Sequence, residues 1–246
     1  MPIQYDTIVS QGKTFSFPKG LLQAMPLYNA IYNDYLNQPQ CNIVWDDAPF
    51  KIVQGVRQSG KTHIIKALAM LHALMCWGKT ILITANTHQM AHRINEDIKT
   101  LYNSLPEPKP RATSWNQMYI DFDNGSRIVT CIANCCSGRG LTIDMLLMDE
   151  VAFYNEKELK LFWESNFPLI KGMGREIVIV STRKNRSMKT NFFWKTWIGA
   201  QDGKNGFKPF TISNKDCPHK DKKQVKAWKN ILGRAAYDRE HTIRTK

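Results

Sequence analysis

Short continuous apolar runs alternate along this chain with longer segments in which apolar residues recur every three or four positions. Runs of the first kind predict strands buried on both faces, and segments of the second kind predict helices. The predicted strands lie at residues 50–53, 79–86, 144–151, 175–182 and 207–212. The predicted helices lie at residues 21–36, 61–77, 87–105, 156–170, 222–232 and 235–243. This alternation indicates an α/β fold, with a mostly parallel central sheet flanked by helices and a small basic helical part at the C-terminus.

Two further apolar runs, at residues 118–122 and 127–133, flank the dipeptide Asn124-Gly125. Asn-Gly between two such runs is a strong signal of a β-hairpin closed by a type I′ turn, in which both central residues take positive φ. The pattern therefore predicts an antiparallel hairpin in the middle of the chain.

The composition is that of a globular protein. With 246 residues, of which 43% are hydrophobic and 22% charged, the chain can form one large α/β domain with an ample core. No apolar run approaches the roughly 20 residues of a membrane span, and no signal-peptide pattern is present, so no membrane partner is expected. The six cysteines lack a C-x-x-C pair and are interpreted as reduced thiols, although Cys217 and His219 leave a metal site as a weak alternative.

The formal net charge of +13 is unevenly distributed. Residues 1–150 carry 13 Lys and Arg against 12 Asp and Glu, whereas residues 151–246 carry 21 against 9. This asymmetry favours a polyanionic partner for the C-terminal part, although a basic surface that is only solvated explains the charge equally well. One basic run is interleaved with aromatic residues, which suits a nucleic-acid surface but also suits the packing of a helix. The run comprises Arg183, Lys184, Arg186, Lys189, Phe192, Phe193, Trp194, Lys195 and Trp197.

Residues Gly55–Thr62 read G-V-R-Q-S-G-K-T, a complete phosphate-binding loop between a predicted strand and a predicted helix. Gly55 and Gly60 allow a tight turn, so that backbone amides and the helix N-terminus point at phosphate groups. Lys61 would reach the β- and γ-phosphates, and the Thr62 hydroxyl would hold Mg²⁺. The segment predicts that the protein binds a nucleoside triphosphate.

A second motif, Asp149-Glu150, ends the predicted strand at residues 144–151, where open α/β sheets bind their ligands. Asp149 would bind Mg²⁺ through its water shell, and Glu150 would orient and deprotonate the attacking water. Acidic pairs at strand ends are common, but one that follows a phosphate loop by about 90 residues indicates nucleotide hydrolysis. Ser181-Thr182, at the end of another predicted strand, could sense the γ-phosphate or simply cap the next element.

Four segments together resemble the ATPase domain of the large terminase subunit of tailed bacteriophages, a DNA-packaging motor. They are Arg57–Thr62 (R-Q-S-G-K-T), Ser137–Gly140 (S-G-R-G), Met148–Phe153 (M-D-E-V-A-F) and Ile179–Thr182 (I-V-S-T). The resemblance covers nearly the whole chain from about Phe50 onward. The combination of R-Q-x-G-K-T with D-E-x-A-F is far more specific than a bare phosphate loop.

The resemblance implies a RecA-like fold of the additional-strand (ASCE) class of P-loop NTPases. It implies Mg-dependent ATP hydrolysis that powers translocation of double-stranded viral DNA into a procapsid. The implied partners are double-stranded DNA, a small terminase subunit, and further copies of the chain in a ring, expected to be a pentamer, on a portal protein. The implied location is the host cytoplasm and, transiently, the viral procapsid.

Several residue roles follow from the resemblance alone. Arg57 matches an arginine that contacts the γ-phosphate, and Ser181-Thr182 matches the motif that couples hydrolysis to movement. Arg139 matches the candidate arginine finger that reaches a neighbouring subunit's ATP, although it could merely hydrogen-bond loop carbonyls. An adenine-recognising glutamine is expected in the N-terminal helix, where Tyr28-Asn29 is the nearest match. Arg183 stands where the family usually has a proline after the coupling threonine.

The predicted site therefore has three groups of residues, and its expected cofactors are ATP and Mg²⁺. The catalytic group is Arg57, Lys61, Arg139 and Glu150. The nucleotide-binding group is Tyr28, Asn29, Gly55, Arg57, Gln58, Ser59, Gly60, Lys61, Thr62, Ser181 and Thr182. The metal ligands for Mg²⁺ are Thr62 and Asp149.

Three segments are expected along the chain. Residues 1–49 would pack on the nucleotide site, residues 50–212 would form the P-loop ATPase core, and residues 213–246 would form a basic helical segment. That last segment would lead towards a nuclease domain for which this chain has no room.

Two other functions compete with the packaging motor. A superfamily 2 helicase shares the phosphate loop and the D-E motif, but it would need a second RecA-like domain. A nucleotide-binding assembly protein that does not hydrolyse its ligand is disfavoured by the intact Glu150.

Overall fold

A computed structural model describes residues 5–10, 13–18, 25–134, 137–138, 140–172, 175–182, 191–217, 220, 222–233, 237 and 241–243. The strands are β1 Tyr5–Ser10, β2 Lys13–Pro18, β3 Phe50–Gly55, β4 Thr80–Ala85, β5 Ala112–Trp115, β6 Tyr119–Phe122, β7 Arg127–Ile132, β8 Met145–Asp149, β9 Glu176–Ser181 and β10 Lys208–Ile212. The α-helices are α1 Met25–Asn29, α2 Gln38–Val44, α3 Lys61–Met75, α4 His88–Ser104, α5 Glu156–Gly172, α6 Phe192–Gln201 and α7 Lys222–Leu232. A π-helix (Ala30–Tyr35) continues α1, and short 3-10 helices cover Val151–Phe153 and Asn214–Asp216.

Eight strands form one mixed sheet in the order β10-β3-β9-β8-β4-β7-β6-β5. The six strands from β10 to β7 are parallel, and β6 and β5 extend this sheet antiparallel at one edge. β9 lies between β3, which leads into the phosphate loop, and β8, which ends in the acidic pair. This inserted strand is the additional-strand arrangement, and the predicted α/β class with a mostly parallel sheet is confirmed.

Strand register brings the functional strand ends together. Gln54 of β3 lies opposite Ser181 of β9, and Asp149 of β8 lies opposite Val180. Because parallel strands end at the same edge of a sheet, the loop after β3, the residue after β9 and the residue after β8 meet there.

The core lies on both faces of this sheet. On one face, side chains of α3 and α4 such as Ile64 and Ile98 pack with Val53. On the other face, Phe162 of α5 and Trp197 of α6 pack in a second cluster. Alternation along β3 places its neighbouring apolar residues in different clusters, which explains why the strands are continuous apolar runs. The aromatic residues interleaved with the basic run therefore include core residues of α6. This agrees with the alternative that they pack a helix.

The hairpin between β6 and β7 forms as predicted, but the predicted type I′ turn is wrong. The amide of Phe122 donates to the carbonyl of Ser126, so the loop has three residues rather than two. The amide of Gly125 donates to the carbonyl of Phe122 at 3.0 Å, and within the loop only Gly125 takes a positive φ, of 80°. This is a turn followed by a left-handed glycine, the usual form of a three-residue hairpin loop.

The side chain of Asn124 explains this turn. Its Nδ2 donates to the carbonyls of Ala73 and Cys76 at 2.8 and 3.0 Å, and its Oδ1 accepts from the amide of Ser126 at 3.0 Å. Asn124 therefore satisfies carbonyls at the C-terminal end of α3, which are left without intrahelical partners. This contact links the hairpin to α3.

The β1–β2 hairpin, β5 and α2 were not predicted from the sequence. The predicted helix at 21–36 is described from residue 25, as α1 and the π-helix. The predicted helix at 235–243 and the basic residues 183–189 lie largely or wholly outside the described residues. The division of the chain at residues 49 and 212 stays a prediction.

Two properties of the described residues bear on earlier expectations. None of the helices in this part of the chain has the length and apolar character needed to cross a bilayer. Among the described cysteines, Cys76, Cys131 and Cys217 form no disulfide.

Candidate active site

The phosphate loop joins β3 to α3 in a tight turn that its glycines make possible. Gly60 has a φ of 76°, which is unfavourable for any residue with a Cβ. A Cβ at Gly55 would lie 2.5 Å from Oγ of Ser59 and 2.8 Å from Cδ of Lys61. Gln58 also takes a positive φ, of 57°, so the loop holds a non-glycine residue in the left-handed region.

Side-chain donors hold the carbonyl groups of this loop. Nε2 of Gln40 donates to the carbonyls of Ser59 and Gly60 at 3.3 and 3.2 Å, and Nζ of Lys220 donates to the carbonyl of Arg57. The C=O and N–H groups of a trans peptide point in opposite directions. The amides that follow these three carbonyls therefore point away from the donors, as amides that bind phosphate must.

Asp149, the last residue of β8, has the features of a metal ligand. It is 1% exposed, its Oδ2 accepts from Oγ1 of Thr62 at 2.8 Å, and its Oδ1 has no hydrogen-bond partner among the described residues. Burial, with the nearby charge of Glu150, raises the pKa of Asp149 to about 7. A divalent cation would bind the orphaned oxygen and favour the ionised form.

The Thr62 hydroxyl and the Asp149 carboxylate are oxygen ligands of the kind that Mg²⁺ prefers, so these two residues fit that ion. Within the described part of the chain, no group of three or more His, Cys, Asp or Glu side chains forms a metal cage. Mg²⁺ in nucleotide sites is normally bound by one or two side chains, with phosphate and water completing the shell. The absence of a cage among these residues is therefore compatible with Mg²⁺.

Glu150 has a strained backbone and a carboxylate that is held in place. Its φ is 52°, an uncommon value for a residue with a side chain and one that is found mostly where the surrounding structure enforces it. Its Oε2 accepts from the amide of Thr182 at 2.9 Å and from Oγ of Ser181 at 3.3 Å. The carboxylate is thus oriented by the end of β9.

The Lys61 ammonium group contacts both Thr182 and Glu150. Its Nζ donates to Oγ1 of Thr182 at 2.7 Å and lies 3.3 Å from Oε1 of Glu150, while Oγ1 of Thr182 donates to the same oxygen at 3.3 Å. The sequence prediction offered Ser181-Thr182 as a γ-phosphate sensor or as a cap. In the structure both hydroxyls contact the acidic residue, and Thr182 joins it to the loop lysine.

A cavity of about 580 Å³ opens over these groups, within the usual range for small-molecule sites. The phosphate loop and the acidic pair form one wall of this cavity. The remaining walls come from the segment before β3, from α3 and from α4. These wall residues are Tyr35, Asn37, Gln40, His63, Lys66, Met90, Arg93, Ile94 and Asp97.

The sequence analysis missed Gln40, which is 3% exposed and contacts the phosphate loop. A signal for the start of α2 was present, although not for the loop contact, because Asn37 and Gln40 form a capping box there. An N-x-x-Q pattern with a proline between is typical of such a helix start. The helix α2 is only seven residues long, so its periodicity gave no signal.

Some predicted site residues are not placed in this cavity. Asn29 is exposed and does not line the cavity, and the side chain of Tyr28 lies outside the described residues. Arg57 is exposed on the loop, outside the cavity lining. Arg139 also lies outside the described residues. The roles assigned to these four residues stay predictions.

Solved structures that share this fold include those of three phage large terminases. A variant of the large terminase ATPase domain of Thermus phage P74-26 matches with a TM-score of 0.72 and 16% identity over 87% of this chain and 96% of that one. The large terminase of the thermophilic bacteriophage D6E, in complex with ATP-γ-S, matches with 0.65 and 14% over 83% and 51%. The large terminase of bacteriophage HK97 matches with 0.60 and 15% over 86% and 45%. The chain thus spans about half the length of the last two proteins.

A family model describes the relationship at the level of sequence. Residues 52–242 match the model of the N-terminal part of the T4-like-virus type of terminase large subunit. The match includes the phosphate loop and the acidic pair, which line the cavity described above, and the end of β9, which contacts Lys61 and Glu150. Since it covers more than half of the chain, this protein belongs to the family of phage terminase large subunits.

Proposed function

We propose that this protein is a Mg-dependent ATPase that drives double-stranded DNA into a viral procapsid. The observation that carries the proposal is the convergence of Lys61, Thr62, Asp149 and Glu150 on one cavity, with Thr182 bound to both Lys61 and Glu150. Family membership supports a packaging motor, and the ATP-γ-S complex of the D6E large terminase supports ATP as the nucleotide.

The described residues suit each part of phosphoryl transfer. The loop amides and the N-terminus of α3 receive the phosphates, and Thr62 with Asp149 holds Mg²⁺. When bound, this ion would neutralise charge on the transferred phosphate group. Glu150, oriented by Ser181 and Thr182, positions a water molecule in line and accepts its proton.

Nucleotide binding requires Lys61 to exchange partners. Its ammonium group contacts Thr182 and Glu150, and it must turn to phosphate oxygens when they enter the loop. That exchange frees the carboxylate to act on water. Glu150 therefore becomes available as a base only after the phosphates have bound.

The partners are part of the same proposal. Double-stranded DNA is the polyanion expected from the charge of residues 151–246, and α7 presents exposed Lys223, Lys226 and Lys229. Copies of the chain would form a ring, expected to be a pentamer, on a portal protein in the host cytoplasm, with a small terminase subunit as a further partner. In such a ring Arg139 would act on the neighbouring site, where an arginine in trans can raise the rate by about 10³–10⁵.

Phosphate release tests the proposal. Wild-type protein at concentrations that allow assembly should release phosphate from ATP, faster with duplex DNA, and chelation of Mg²⁺ should abolish the activity. Lys61→Ala should bind ATP-γ-S weakly and release no phosphate. If the wild-type protein binds ATP-γ-S but never releases phosphate under any of these conditions, it is a non-hydrolysing assembly protein instead.

A further inference from the structure

Lys220 belongs to the segment that follows β10, yet its ammonium group reaches the phosphate loop. Its Nζ donates to the carbonyl of Arg57 and to Oδ1 of Asn214, the latter at 3.2 Å. Lys220 is only 8% exposed. Burial lowers the pKa of its ammonium group. A buried ammonium group is unfavourable unless its donors are satisfied, and here two oxygens from different segments satisfy it.

The carbonyl that Lys220 binds lies where the backbone of the loop turns. It belongs to the peptide between Arg57 and Gln58, directly before the left-handed Gln58. The far end of the loop is held separately, by Gln40 at Ser59 and Gly60. Loss of the Lys220 ammonium group would remove a charged donor from this peptide, whose amide could then rotate away from the phosphates.

Asn214 links Lys220 to the rest of the C-terminal segment. Its Nδ2 donates to the carbonyl of His241 at 2.8 Å and to the hydroxyl of Tyr237 at 3.3 Å. The ring of His241 stacks on Tyr237 and lies 5.5 Å from the ring of Trp228 in α7. A continuous set of contacts therefore runs from the phosphate loop to the basic helix α7.

We propose that Lys220 is a positioning residue of the nucleotide site. It orients the Arg57–Gln58 peptide so that the loop receives phosphates, and it makes nucleotide affinity depend on the position of Asn214, which binds Lys220. This inference rests on the proposed nucleotide-binding function and adds to it a residue and a segment outside the known motifs.

The first test measures binding of ADP and ATP-γ-S by titration calorimetry. Lys220→Met keeps the length and apolar stem of the side chain but removes the charged donor, and it should weaken binding about tenfold. Lys220→Arg restores a charged donor and should stay within about threefold of wild type. Lys215→Met, an exposed lysine of the same segment, is the matched control and should bind as wild type does.

Steady-state kinetics separate positioning from catalysis. Lys220→Met should raise KM for ATP by about the factor seen in binding, whereas kcat should change by less than about threefold. Equal affinity of wild type, Lys220→Met and Lys215→Met would overturn the proposal. So would folded Lys220→Arg protein that binds as weakly as Lys220→Met. A wild-type protein that binds neither nucleotide would overturn the proposed function itself.

If Lys220→Met fails to fold, Asn214→Ala decides the question, because it leaves the lysine but removes its second partner. It should weaken ADP binding about threefold, and an unchanged affinity would overturn the proposal. Amide hydrogen exchange provides the reciprocal measurement, since coupling between sites acts in both directions. ADP should slow exchange at the amides of residues 214–217 in wild type. Equal slowing in folded Lys220→Met would contradict the link.

Discussion

Nζ of Lys61 lies 3.3 Å from Oε1 of Glu150. The cation expected to bind phosphate and the carboxylate expected to activate water are thus in direct contact. Incoming phosphate oxygens and Glu150 compete for the same ammonium group. Substitution of Glu150 should therefore change nucleotide affinity and turnover in different ways.

Removal of the Glu150 charge should leave nucleotide binding intact and abolish hydrolysis. In Glu150→Gln the neutral amide competes less strongly for Lys61, so ATP-γ-S should bind at least as tightly as to wild type. Turnover should fall by about 10²–10⁴-fold, the usual loss when a general base is removed. Calorimetry and phosphate release measure the two effects, with Glu164→Gln, at an exposed position of α5, as the control. Near-normal turnover in Glu150→Gln would remove this residue from the catalytic role.

The Thr182 hydroxyl should matter for rate more than for affinity. It accepts from Lys61 and donates to Glu150, so Thr182→Val leaves both groups without their shared partner. We expect kcat to fall about 10-fold to 100-fold, because a buried, charge-assisted hydrogen bond is lost. Thr182→Ser keeps the hydroxyl and should retain most of the activity. If the two variants have the same kcat, the hydroxyl has no part in the reaction.

Asp149 should make stability depend on pH. Its pKa is about 7 in the folded protein, whereas an unfolded aspartate has a value of about 3.9. Because the folded value is higher, the stabilising contribution is complete below about pH 4 and is lost as the pH rises through about 7. Without divalent cations, Asp149→Asn should therefore gain stability relative to wild type between pH 5 and pH 8, by a few kcal/mol in order of magnitude.

Denaturant unfolding of both proteins at several pH values measures this difference. Added Mg²⁺ should reduce it at pH 8, because the ion stabilises the ionised carboxylate of the wild type. A stability difference that does not vary with pH would show that Asp149 is ionised throughout this range in the folded protein.

The basic helix α7 should contribute to DNA binding through phosphate contacts. Lys223, Lys226 and Lys229 are exposed, and each phosphate that they neutralise adds about −0.9 to the slope of log K against log salt. Changing all three to Ala should make the slope shallower by up to about 2.7 without altering sequence preference. Arg111→Ala, exposed near the β5 edge of the sheet, is the control. An unchanged slope in the triple variant would place the DNA on another surface.

A site shared between subunits predicts complementation. Arg139→Ala and Glu150→Ala should each be inactive alone. When mixed under conditions that allow assembly, some interfaces would combine an intact Arg139 with an intact Glu150, and part of the activity should return. No recovery over either variant alone would mean that hydrolysis does not use an arginine from a neighbour.

The sequence was informative where the chemistry is local. The phosphate loop carries its spacing, its preceding strand and its following helix within one short stretch, and β8 and β9 are apolar runs whose ends carry the polar groups. Parallel strand order then brings Asp149, Glu150 and Thr182 to one edge without further information.

Contacts between distant segments could not be predicted in this way. Gln40 and Lys220 reach the loop from helices and turns that lack strong periodicity, and nothing in their own neighbourhood marks them as partners of the loop. The prediction of the hairpin turn type was wrong for a related reason. The Asn-Gly signal assumes an isolated turn, whereas here the Asn124 amide is required by the carbonyls of α3.

That last contact gives α3 a second role. The helix begins at the phosphate loop and ends on the Asn124 side chain, and its 15 residues span about 22 Å. Because Asn124 binds carbonyls at its C-terminal end, a displacement of α3 at the phosphate loop would also act on the β6–β7 hairpin. Trp77 is 82% exposed and lies just beyond the end of α3, where such a displacement would change its surroundings.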